Sequence, residues 1–485
     1  MTKPNTPPTA TLLPKEISGE IDRVFEKQRK YALFLRKSTA SERIAKLRKL
    51  ESALLANRQN LRDAMWADFK KSPFETDITE IAVSLGEIRH TIRHLRGWMT
   101  PRSVATTIPV LGTRSEVRLE PKGSALIISP WNFPVNLTMV PLCSAIAAGC
   151  TAIVKPSEFT PATAEVMRKM LAGLFEEQEV AVFEGDPAVS TLLLAKKFDH
   201  IFFTGSPAVG KIVMRAAAEN LASVTLELGG KSPVVVDETA DLADAAAKIA
   251  WIKCMNAGQI CIEPDYLLLH ESRLEEFVNI FSKKIKMMYG ETAESRNASP
   301  DLPRICHDRA FSRIKNLVDD AVLAGGRIVF GGKMDAATRF IEPTVLVGVP
   351  DSAQIWTEEI FGPVLPIRTF RALDEAVLTI NSLEKPLALY VFSKKSANID
   401  RILAETSAGG VTVNDCALHF YNPNLPFGGT GHSGMGKCHG EAGFLAFSNE
   451  KSVLRQNRWA APFKLLHPPY GKFAARVADF IVRWL

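Results

Sequence analysis

The chain has 485 residues, of which 46% are hydrophobic and 23% charged, with 30 glycines and 29 prolines. These globular proportions exclude a collagen-like, low-complexity or wholly disordered protein, and the length predicts two or three domains with substantial cores. The net charge of +6 is unevenly spread: residues 1–60 carry 13 Lys and Arg against 6 Asp and Glu, and residues 451–485 carry 7 against 1. An acidic body with basic ends is unlike a nucleic-acid-binding surface and leaves a membrane or a second subunit as candidate partners of the ends.

The seven cysteines are widely spaced and odd in number, and no charged segment followed by an apolar one opens the chain. We therefore expect a cytoplasmic protein with free thiols. The most apolar segment, Met139 to Val154, is interrupted by Pro141, Ser144, Gly149 and Thr151. It predicts a buried helix followed by a strand, not a membrane span.

The first 120 residues predict a helical region between two irregular ones. Residues 1–15 contain four prolines and predict a loose arm. Residues 16–70 place four leucines between positions 47 and 55 on one side of a helical pattern, which predicts two amphipathic helices. Residues 101–120 are rich in Thr, Val and Pro without helical period and predict extended chain.

From Ser124 onward, short apolar runs alternate with helical stretches of roughly ten to fifteen residues, which is the spacing of βαβ units. The first series of predicted strands is Ala125–Ile128, Thr151–Val154, Val180–Phe183, His200–Phe203 and Val224–Leu228. A second series includes Val234–Val236, Leu387–Phe392 and Val411–Val413. The fold class is therefore α/β, with two doubly wound parallel-sheet domains in tandem.

The turn after the strand at His200–Phe203 is a candidate anion site. Gly205 lets a ligand approach the backbone, Ser206 can cap the next helix, and Pro207 suits its first position. The free N–H groups and the dipole of that helix would face a phosphate. A tight turn without a ligand is the alternative, since the segment is neither a G-x-G-x-x-G motif nor a P-loop.

A second strand end of the same predicted sheet carries two charged residues. Lys155 and Glu158 could hydrogen-bond the two hydroxyls of a ribose, as an acidic residue does in dinucleotide-binding folds. A solvated loop with two charges is the alternative.

Cys261 is a candidate nucleophile. It lies in the segment Asn256–Tyr266, whose Gly, Pro and Asp residues predict a loop, and loops held by a scaffold often carry function. Most cysteines are inert packing residues, and Cys254 in its apolar surroundings is an example. The spacing of Cys and His residues argues against a metal site.

Two further residues have side chains suited to catalysis. Glu227 ends an apolar strand before two glycines, where burial should raise its pKa and suit a base near neutral pH; an ion pair with Lys231 is the alternative. Asn132 lies in a rigid turn from which its amide could donate to a developing oxyanion, or it belongs to a turn packed by aromatic residues. The segments Glu358–Pro363 and Leu425–Gly436 are loops that either line a cleft or join elements.

In this order, from about residue 20 to about residue 455, these segments resemble the NAD(P)-dependent aldehyde dehydrogenase superfamily. The region before Ser124 and the block Leu425–Val453 are most similar to the class 3 branch, which includes fatty-aldehyde and coniferyl-aldehyde dehydrogenases. The resemblance implies oxidation of an aldehyde to its carboxylic acid with NAD(P)+ through a cysteine thiohemiacetal and thioester. It also implies a medium- or long-chain aliphatic or aromatic substrate. A coniferyl-type specialist, and a thiol esterase on the same scaffold, are the alternatives.

The resemblance implies a role for each candidate residue and no metal. Cys261 matches the nucleophile, Glu227 the base that activates the deacylating water, and Asn132 the side-chain oxyanion donor. The implied cofactor contacts are Lys155 and Glu158 at the adenosine ribose, Gly205, Ser206 and Gly210 at the pyrophosphate turn and its helix, Glu359 at the nicotinamide ribose, Phe361 near the nicotinamide ring, and Trp131. Because Glu158 would repel a 2′-phosphate, NAD is the expected cofactor, with NADP as the second one that the branch uses.

The resemblance also divides the chain. Residues 1–100 and 121–228 are assigned to a discontinuous dinucleotide-binding domain, and 229–411 to a catalytic domain. Residues 101–120 and 412–455 are assigned to bridging and oligomerisation segments of a homodimer.

Residues 456–485 are expected to form an amphipathic tail. Its apolar face has Phe473, Val477, Phe480, Ile481 and Trp484, and its polar face has Lys472, Arg476, Asp479 and Arg483. The tail is too short to span a bilayer, so it either lies at a membrane interface or packs on the body or the partner subunit.

Three residues and one segment, Leu302–His307, depart from the pattern that is usual in the branch. Ile260 and Glu263 stand where threonine and alanine are frequent, and Cys438 stands where a tyrosine is common. Glu263 would place a charge beside the nucleophile if its side chain pointed inward, and we expect it to point away.

Overall fold

The structure is a computed structural model that describes residues 14–107, 110–457 and 467–484. The helices within these ranges are α1 Pro14–Leu35, α2 Ala40–Ala56, α3 Arg58–Phe69, α4 Pro73–Thr76, α5 Ala82–Trp98, α6 Asn136–Ala148, α7 Pro161–Ala172, α8 Pro187–Leu194, α9 Pro207–Glu219, α10 Leu242–Cys254, α11 Leu274–Tyr289, α12 Ala293–Ala298, α13 Asp308–Leu323, α14 Leu373–Ser382, α15 Ser396–Glu405, α16 Gly440–Ala446 and α17 Lys472–Trp484. A π-helical turn, Asp77–Ile81, joins α4 to α5.

The strands of the same ranges form four sheets. They are β1 Arg102–Val104, β2 Thr113–Pro121, β3 Ser124–Ile128, β4 Thr151–Lys155, β5 Val180–Val182, β6 His200–Gly205, β7 Ser223–Leu228, β8 Pro233–Val236, β9 Tyr266–His270, β10 Arg327–Phe330, β11 Met334–Asp335, β12 Phe340–Ile341, β13 Thr344–Val347, β14 Val364–Phe370, β15 Ala388–Phe392, β16 Gly410–Val413, β17 Gly434–Met435 and β18 Ser448–Gln456. β11 and β12 make a small hairpin of their own.

The first large sheet has the strand order β17-β7-β6-β3-β4-β5 and is parallel except for β17, which runs antiparallel to β7. Every residue of β3 and β4 is buried because helices cover both faces. Alternate residues of β3 therefore enter different cores: Ile127 packs with Leu142 of α6, and Leu126 packs with Ile21 of α1.

The second large sheet has the order β10-β13-β14-β9-β8-β15-β16, with β10 antiparallel to β13 and the other pairs parallel. Val234 of β8 faces the core that contains Ile249 of α10, and Val235 faces the core that contains Ile314 of α13. The third sheet, β1-β2-β18, is antiparallel and largely exposed.

The predicted α/β architecture with two parallel sheets is confirmed. The apolar segment after Met139 forms the end of α6 and then β4, as predicted, and Gly149 ends the helix with a φ of 86°. No helix among the described residues is long and apolar enough to cross a bilayer. Apart from its last two positions, the predicted arm at residues 1–15 lies outside the described residues.

The prediction of two helices over residues 16–70 is wrong, since this region contains α1, α2 and α3. The start of α2 has a readable signal, because Thr39 and Glu42 form a capping box. The break between α2 and α3 has none. Asn57 alone separates them, with neither glycine nor proline nearby, so the apolar period continues across the junction.

Candidate active site

A cleft of about 440 Å³ opens at the carboxyl ends of β3, β6 and β7. The structure brings to its walls all three predicted catalytic residues and five of the predicted cofactor contacts, namely Asn132, Glu227, Cys261, Trp131, Gly205, Ser206, Glu359 and Phe361. Lys155 ends β4, next to β3 in the same sheet, and is ion-paired with Glu158 at 2.8 Å. Gly210 is buried in α9 against Leu228 of β7.

Cys261 is partly exposed at the cleft, whereas the other six cysteines are buried. It follows a strained turn in which Asn256 and Ala257 both have a φ of 52° and Gly258 has a φ of 72°. Burial raises the pKa of the Cys261 thiol, and the carboxylates of Glu359 and Glu227 raise it further. The sulfur is therefore protonated at neutral pH in the free protein.

Glu227, near the end of β7, is 5% exposed, and burial raises its pKa to about 8. The Cys438 thiol and the Lys437 ammonium oppose this rise, but the thiol falls short of regular hydrogen-bond geometry. The alternative ion pair with Lys231 is wrong, because that ammonium pairs with Asp265 and donates to the carbonyl of Glu358.

The loop Leu425–Gly436 packs against Glu227 and does not merely join elements, although none of its residues is among those that line the cleft. Its strand β17 pairs Gly434 with Glu227. A Cβ on Gly428 would lie 2.8 Å from Oε1 of Glu227. Only a residue without a side chain allows this close approach.

Asn132 is 3% exposed, and its amide is held in one orientation. Its Nδ2 donates to the carbonyl of Gln259 at 3.0 Å. The Nδ2 of Asn256 in turn donates to the carbonyls of Asn132 and Gln259 at 2.9 and 3.0 Å. Because an amide nitrogen has two hydrogens, the second N–H of Asn132 remains available to a ligand oxygen.

The start of α9 has the geometry that the sequence predicts. Ser206 is the N-cap and accepts from the backbone N–H of Val209, and Pro207 is the first helical residue. A Cβ on Gly205 would lie 2.5 Å from the ring of Phe203. Gly205 and Ser206 line the cleft at this helix N-terminus, whose free backbone N–H groups suit a pyrophosphate.

Glu359 and two aromatic rings form the opposite side of the cleft. Oε1 of Glu359 accepts from the N–H of Gly230 at 3.1 Å, and burial, with a smaller contribution from Asp265, raises its pKa to about 8. The rings of Phe361 and Trp131 meet edge to face at 5.4 Å. This wall offers two aromatic rings and a carboxylate to a ring and its ribose.

Sequence reasoning missed four residues of the cleft. His307 stacks on Phe159 at 4.0 Å, and Arg309 and Arg313 extend from the first turns of α13. Arg313 donates to the carbonyls of Glu359 and Ile360, both at 2.7 Å. Phe159 directly follows Glu158, and His307 ends the segment Leu302–His307, but neither side chain had a pattern that indicated a cleft. Arg309 and Arg313 lie outside every segment that the sequence analysis singled out.

Glu263 does not place a charge at the nucleophile. Its carboxylate lies 3.2 Å from the buried ammonium of Lys253 and accepts from the N–H of Gly362 at 3.3 Å. The side chain is 2% exposed and turned to this ion pair, as the sequence analysis expected.

A narrow cavity of about 40 Å³ reaches Cys261 independently of the cleft. Its lining is almost wholly apolar and consists of Phe133, Leu137, Ile252, Met255, Ile260, Ile262, Ala417, Phe420 and Tyr421, with Thr79 and Asn136. The sulfur is thus reached from the cleft and from a second, almost wholly apolar cavity.

A model of the aldehyde dehydrogenase family matches residues 2–453. The chain is 42% identical over 443 residues to aldehyde dehydrogenase family 3 member B1 of Rattus norvegicus, which covers 91% of this chain and 93% of that protein. The solved substrate-bound state of Staphylococcus aureus AldH is 40% identical, with a TM-score of 0.89 over 95% of this chain and 99% of that one. The crystal structure of PnpE in complex with nicotinamide adenine dinucleotide is 25% identical, with a TM-score of 0.82 over 90% of each chain.

The chain therefore belongs to the aldehyde dehydrogenase family. It is an oxidoreductase that oxidises an aldehyde with NAD(P)+, and its similarity to a family 3 member confirms the class 3 resemblance. The cleft fits such a cofactor, because it has Gly205 and Ser206 at a helix N-terminus and the aromatic rings of Trp131 and Phe361 in its lining, and the Lys155–Glu158 pair follows the adjacent strand β4.

Proposed function

We propose that Cys261 is the nucleophile, Glu227 the base and Asn132 the oxyanion donor of this oxidation. The observation that carries the proposal is their convergence on one cleft from three separate segments, with Cys261 also facing the apolar cavity. Lys155, Glu158, Gly205, Ser206, Gly210, Glu359, Phe361 and Trp131 would hold NAD or NADP along the same cleft.

In the proposed reaction the Cys261 thiol loses its proton to solvent, and the resulting thiolate attacks the aldehyde carbonyl, whose π bond opens as the carbon–sulfur bond forms. The free N–H of Asn132 and the backbone N–H of Cys261 stabilise the oxyanion of the thiohemiacetal. Bound NAD(P)+ supplies the hydride acceptor. Glu227 then takes a proton from water, which attacks the thioester and releases the carboxylic acid, so that covalent catalysis divides the reaction into two easier steps.

We propose an apolar aldehyde, aliphatic or aromatic, as the substrate. The cavity that reaches Cys261 offers the carbons next to the aldehyde group an almost wholly apolar wall that includes Phe133, Leu137 and Phe420. Each buried CH₂ contributes about 0.8 kcal/mol, so kcat/KM should rise about fourfold per carbon along an aldehyde series until the cavity is filled.

Cys261→Ser tests the nucleophile and separates the family reaction from a plain thiol esterase. We expect the variant to fold and bind NAD but to lose turnover of every aldehyde in the series, because a serine hydroxyl is a far weaker nucleophile here. Turnover of aldehyde at the wild-type rate would remove Cys261 from the mechanism. Ester hydrolysis by the wild type without any NAD-dependent aldehyde oxidation would favour the esterase.

We propose a homodimer joined through the sheet β1-β2-β18. The support is its position outside both large sheets and its exposed apolar side chains, Val104 at 42% and Leu454 at 53% exposure. Such side chains on an antiparallel ribbon suit a second subunit.

We also propose that α17 lies on a membrane surface. Phe473 and Phe480 are 64% and 60% exposed, and Lys472, Arg476 and Arg483 share the opposite face with Asp479. An amphipathic helix with a basic polar face binds anionic lipid interfaces. Residues 458–466, which precede it, and Leu485 lie outside the described residues.

A further inference from the structure

Three buried carboxylates on the segment from α4 to α5 each accept a backbone N–H from a distant part of the chain. Glu75 accepts from Asn256 at 2.8 Å, and Glu80 accepts from Asn136 at 2.7 Å. Glu87 accepts from Gly440 at 2.7 Å. The three bonded segments are those that carry Cys261, Asn132 and the Lys437–Cys438 pair beside Glu227.

Lys71 supplies the charge that this arrangement needs. Its ammonium is fully buried and lies 3.5 Å from Oε1 of Glu80 and 3.8 Å from Oε1 of Glu75. It also lies 4.0 Å from the ring centroid of Phe133, the neighbour of Asn132. Buried ion pairs contribute little net stability, so added stability is not a sufficient reason for this one, and the hydrogen bonds that its carboxylates accept supply another.

The segment that Glu75 holds is strained. Asn256 and Ala257 are left-handed although neither is glycine, and such residues persist only where the surroundings fix them. Glu75 fixes the N–H at the start of this turn, and the side chain of Asn256 then bonds the carbonyls of Asn132 and Gln259. One carboxylate is thereby connected to both the nucleophile loop and the oxyanion donor.

We propose that Glu75 is a positioning residue, which acts through the backbone N–H of Asn256 to set Cys261 against Asn132, while the Lys71 ammonium that it shares with Glu80 balances its charge. The inference rests on the proposed function of Cys261. If Glu75 merely neutralised Lys71, its negative charge would matter and the exact position of its oxygen atom would not. A positioning carboxylate needs the acceptor oxygen at the right place and not the charge.

Glu75→Gln and Glu75→Asp separate these two roles. Glutamine keeps the acceptor at the same reach and removes the charge, whereas aspartate keeps the charge and withdraws the oxygen by one CH₂. We expect acylation in Glu75→Asp to slow by about 10- to 100-fold, since small misplacements of reacting groups cost that much, and in Glu75→Gln by no more than about threefold.

Acylation is measured without cofactor, from the burst of p-nitrophenolate that p-nitrophenyl acetate releases as it transfers its acetyl group to sulfur. NAD affinity, measured by fluorescence quenching, should stay within about twofold of the wild type in both variants because Glu75 is not in the cofactor cleft. Glu342→Asp is the matched control. Glu342 is also buried, also ion-paired, to Arg296, and also accepts a backbone N–H, from Lys333 at 2.9 Å.

A slower burst in Glu75→Asp than in Glu75→Gln, with the burst of Glu342→Asp unchanged, supports the proposal. Equal bursts in the two Glu75 variants, or the reverse order, overturn it. An equal slowing in Glu342→Asp would also overturn it, because loss of general stability would then explain the effect. If wild-type and Cys261→Ser chains gave the same burst, the proposed function itself would fail, which is a separate result.

Discussion

At the scale of single residues, the two proposed reacting groups share an unfavourable resting state. Burial raises the pKa of Cys261, and burial raises that of Glu227 to about 8, so neither is in its reactive ionised form over much of the neutral range. The sequence could predict the raised pKa of Glu227 from its apolar strand. It could not predict the Cys438 thiol or Gly428 beside that carboxylate, because they come from a loop about 200 residues further on.

Glu227→Gln should become increasingly more stable than the wild type as the pH rises. The folded-state pKa of Glu227 is raised to about 8, so its contribution to the free energy of unfolding is present at low pH and is lost as the pH rises through about 8. The neutral amide has no such loss, and the advantage of the variant should grow by about 3 kcal/mol between about pH 5.5 and about pH 9. Urea unfolding at both pH values measures this.

The exposed Glu165→Gln is the control and should show no comparable growth. A stability difference between Glu227→Gln and the wild type that is the same at both pH values would contradict the buried, neutral state assigned to this carboxyl.

At the scale of elements, the sequence predicts features that have a local signal and does not predict contacts between distant segments. Ser206 and Pro207 predict the start of α9, and the structure confirms that Ser206 caps this helix. The junction between α2 and α3 at Asn57 is not predicted, because no glycine or proline marks it. The bond from Glu75 to Asn256 joins residues 181 positions apart, and no periodicity or spacing in one sequence predicts such a contact.

Gly205→Ala should weaken cofactor binding without impairing the thiol. The added Cβ would lie 2.5 Å from the ring of Phe203, and because that ring is itself buried we expect the turn between β6 and α9 to shift from the position that a pyrophosphate needs. We expect the Kd for NAD to rise about tenfold or more, by fluorescence titration, and the ester burst to stay within about twofold. Gly86→Ala, where no atom lies within 4 Å of the new Cβ, is the control and should leave the Kd unchanged. An unchanged Kd in Gly205→Ala would remove the turn from the cofactor site.

At the scale of the whole molecule, the ordered set of motifs predicted the α/β fold, while assembly remains a proposal. The sequence predicted extended chain over residues 101–120, and the structure has β1 and β2 there. The pairing of β2 with β18, more than 320 residues further on, had no sequence signal. The domain boundaries and the homodimer stay predictions.

Deletion of residues 468–485 tests the tail. If α17 binds lipid, the truncated chain should stay in the supernatant when sedimented with phosphatidylserine-containing vesicles, while the full chain pellets with them and loses this binding at high salt. Phe473→Ser with Phe480→Ser is the matched variant, which keeps the charges and removes exposed apolar area. The truncated and the full-length chain should both elute as dimers, the full-length one at about twice 53.3 kDa, because the dimer is proposed through β1-β2-β18. Identical vesicle binding with and without the tail would eliminate the membrane role, and loss of the dimer on truncation would place α17 at the subunit contact.

The central claim is that the substrate carbon becomes covalently bonded to the sulfur of Cys261. Water that is activated by Glu227 then breaks this bond. The most direct test of this claim is peptide mass spectrometry of Glu227→Gln quenched in acid during turnover of an apolar aldehyde with NAD. We predict an acyl thioester, with the mass of the substrate acid less water, on the peptide that contains Cys261. Steady turnover by the variant with that peptide unmodified, or with the acyl group on another of the seven cysteines, would contradict the account.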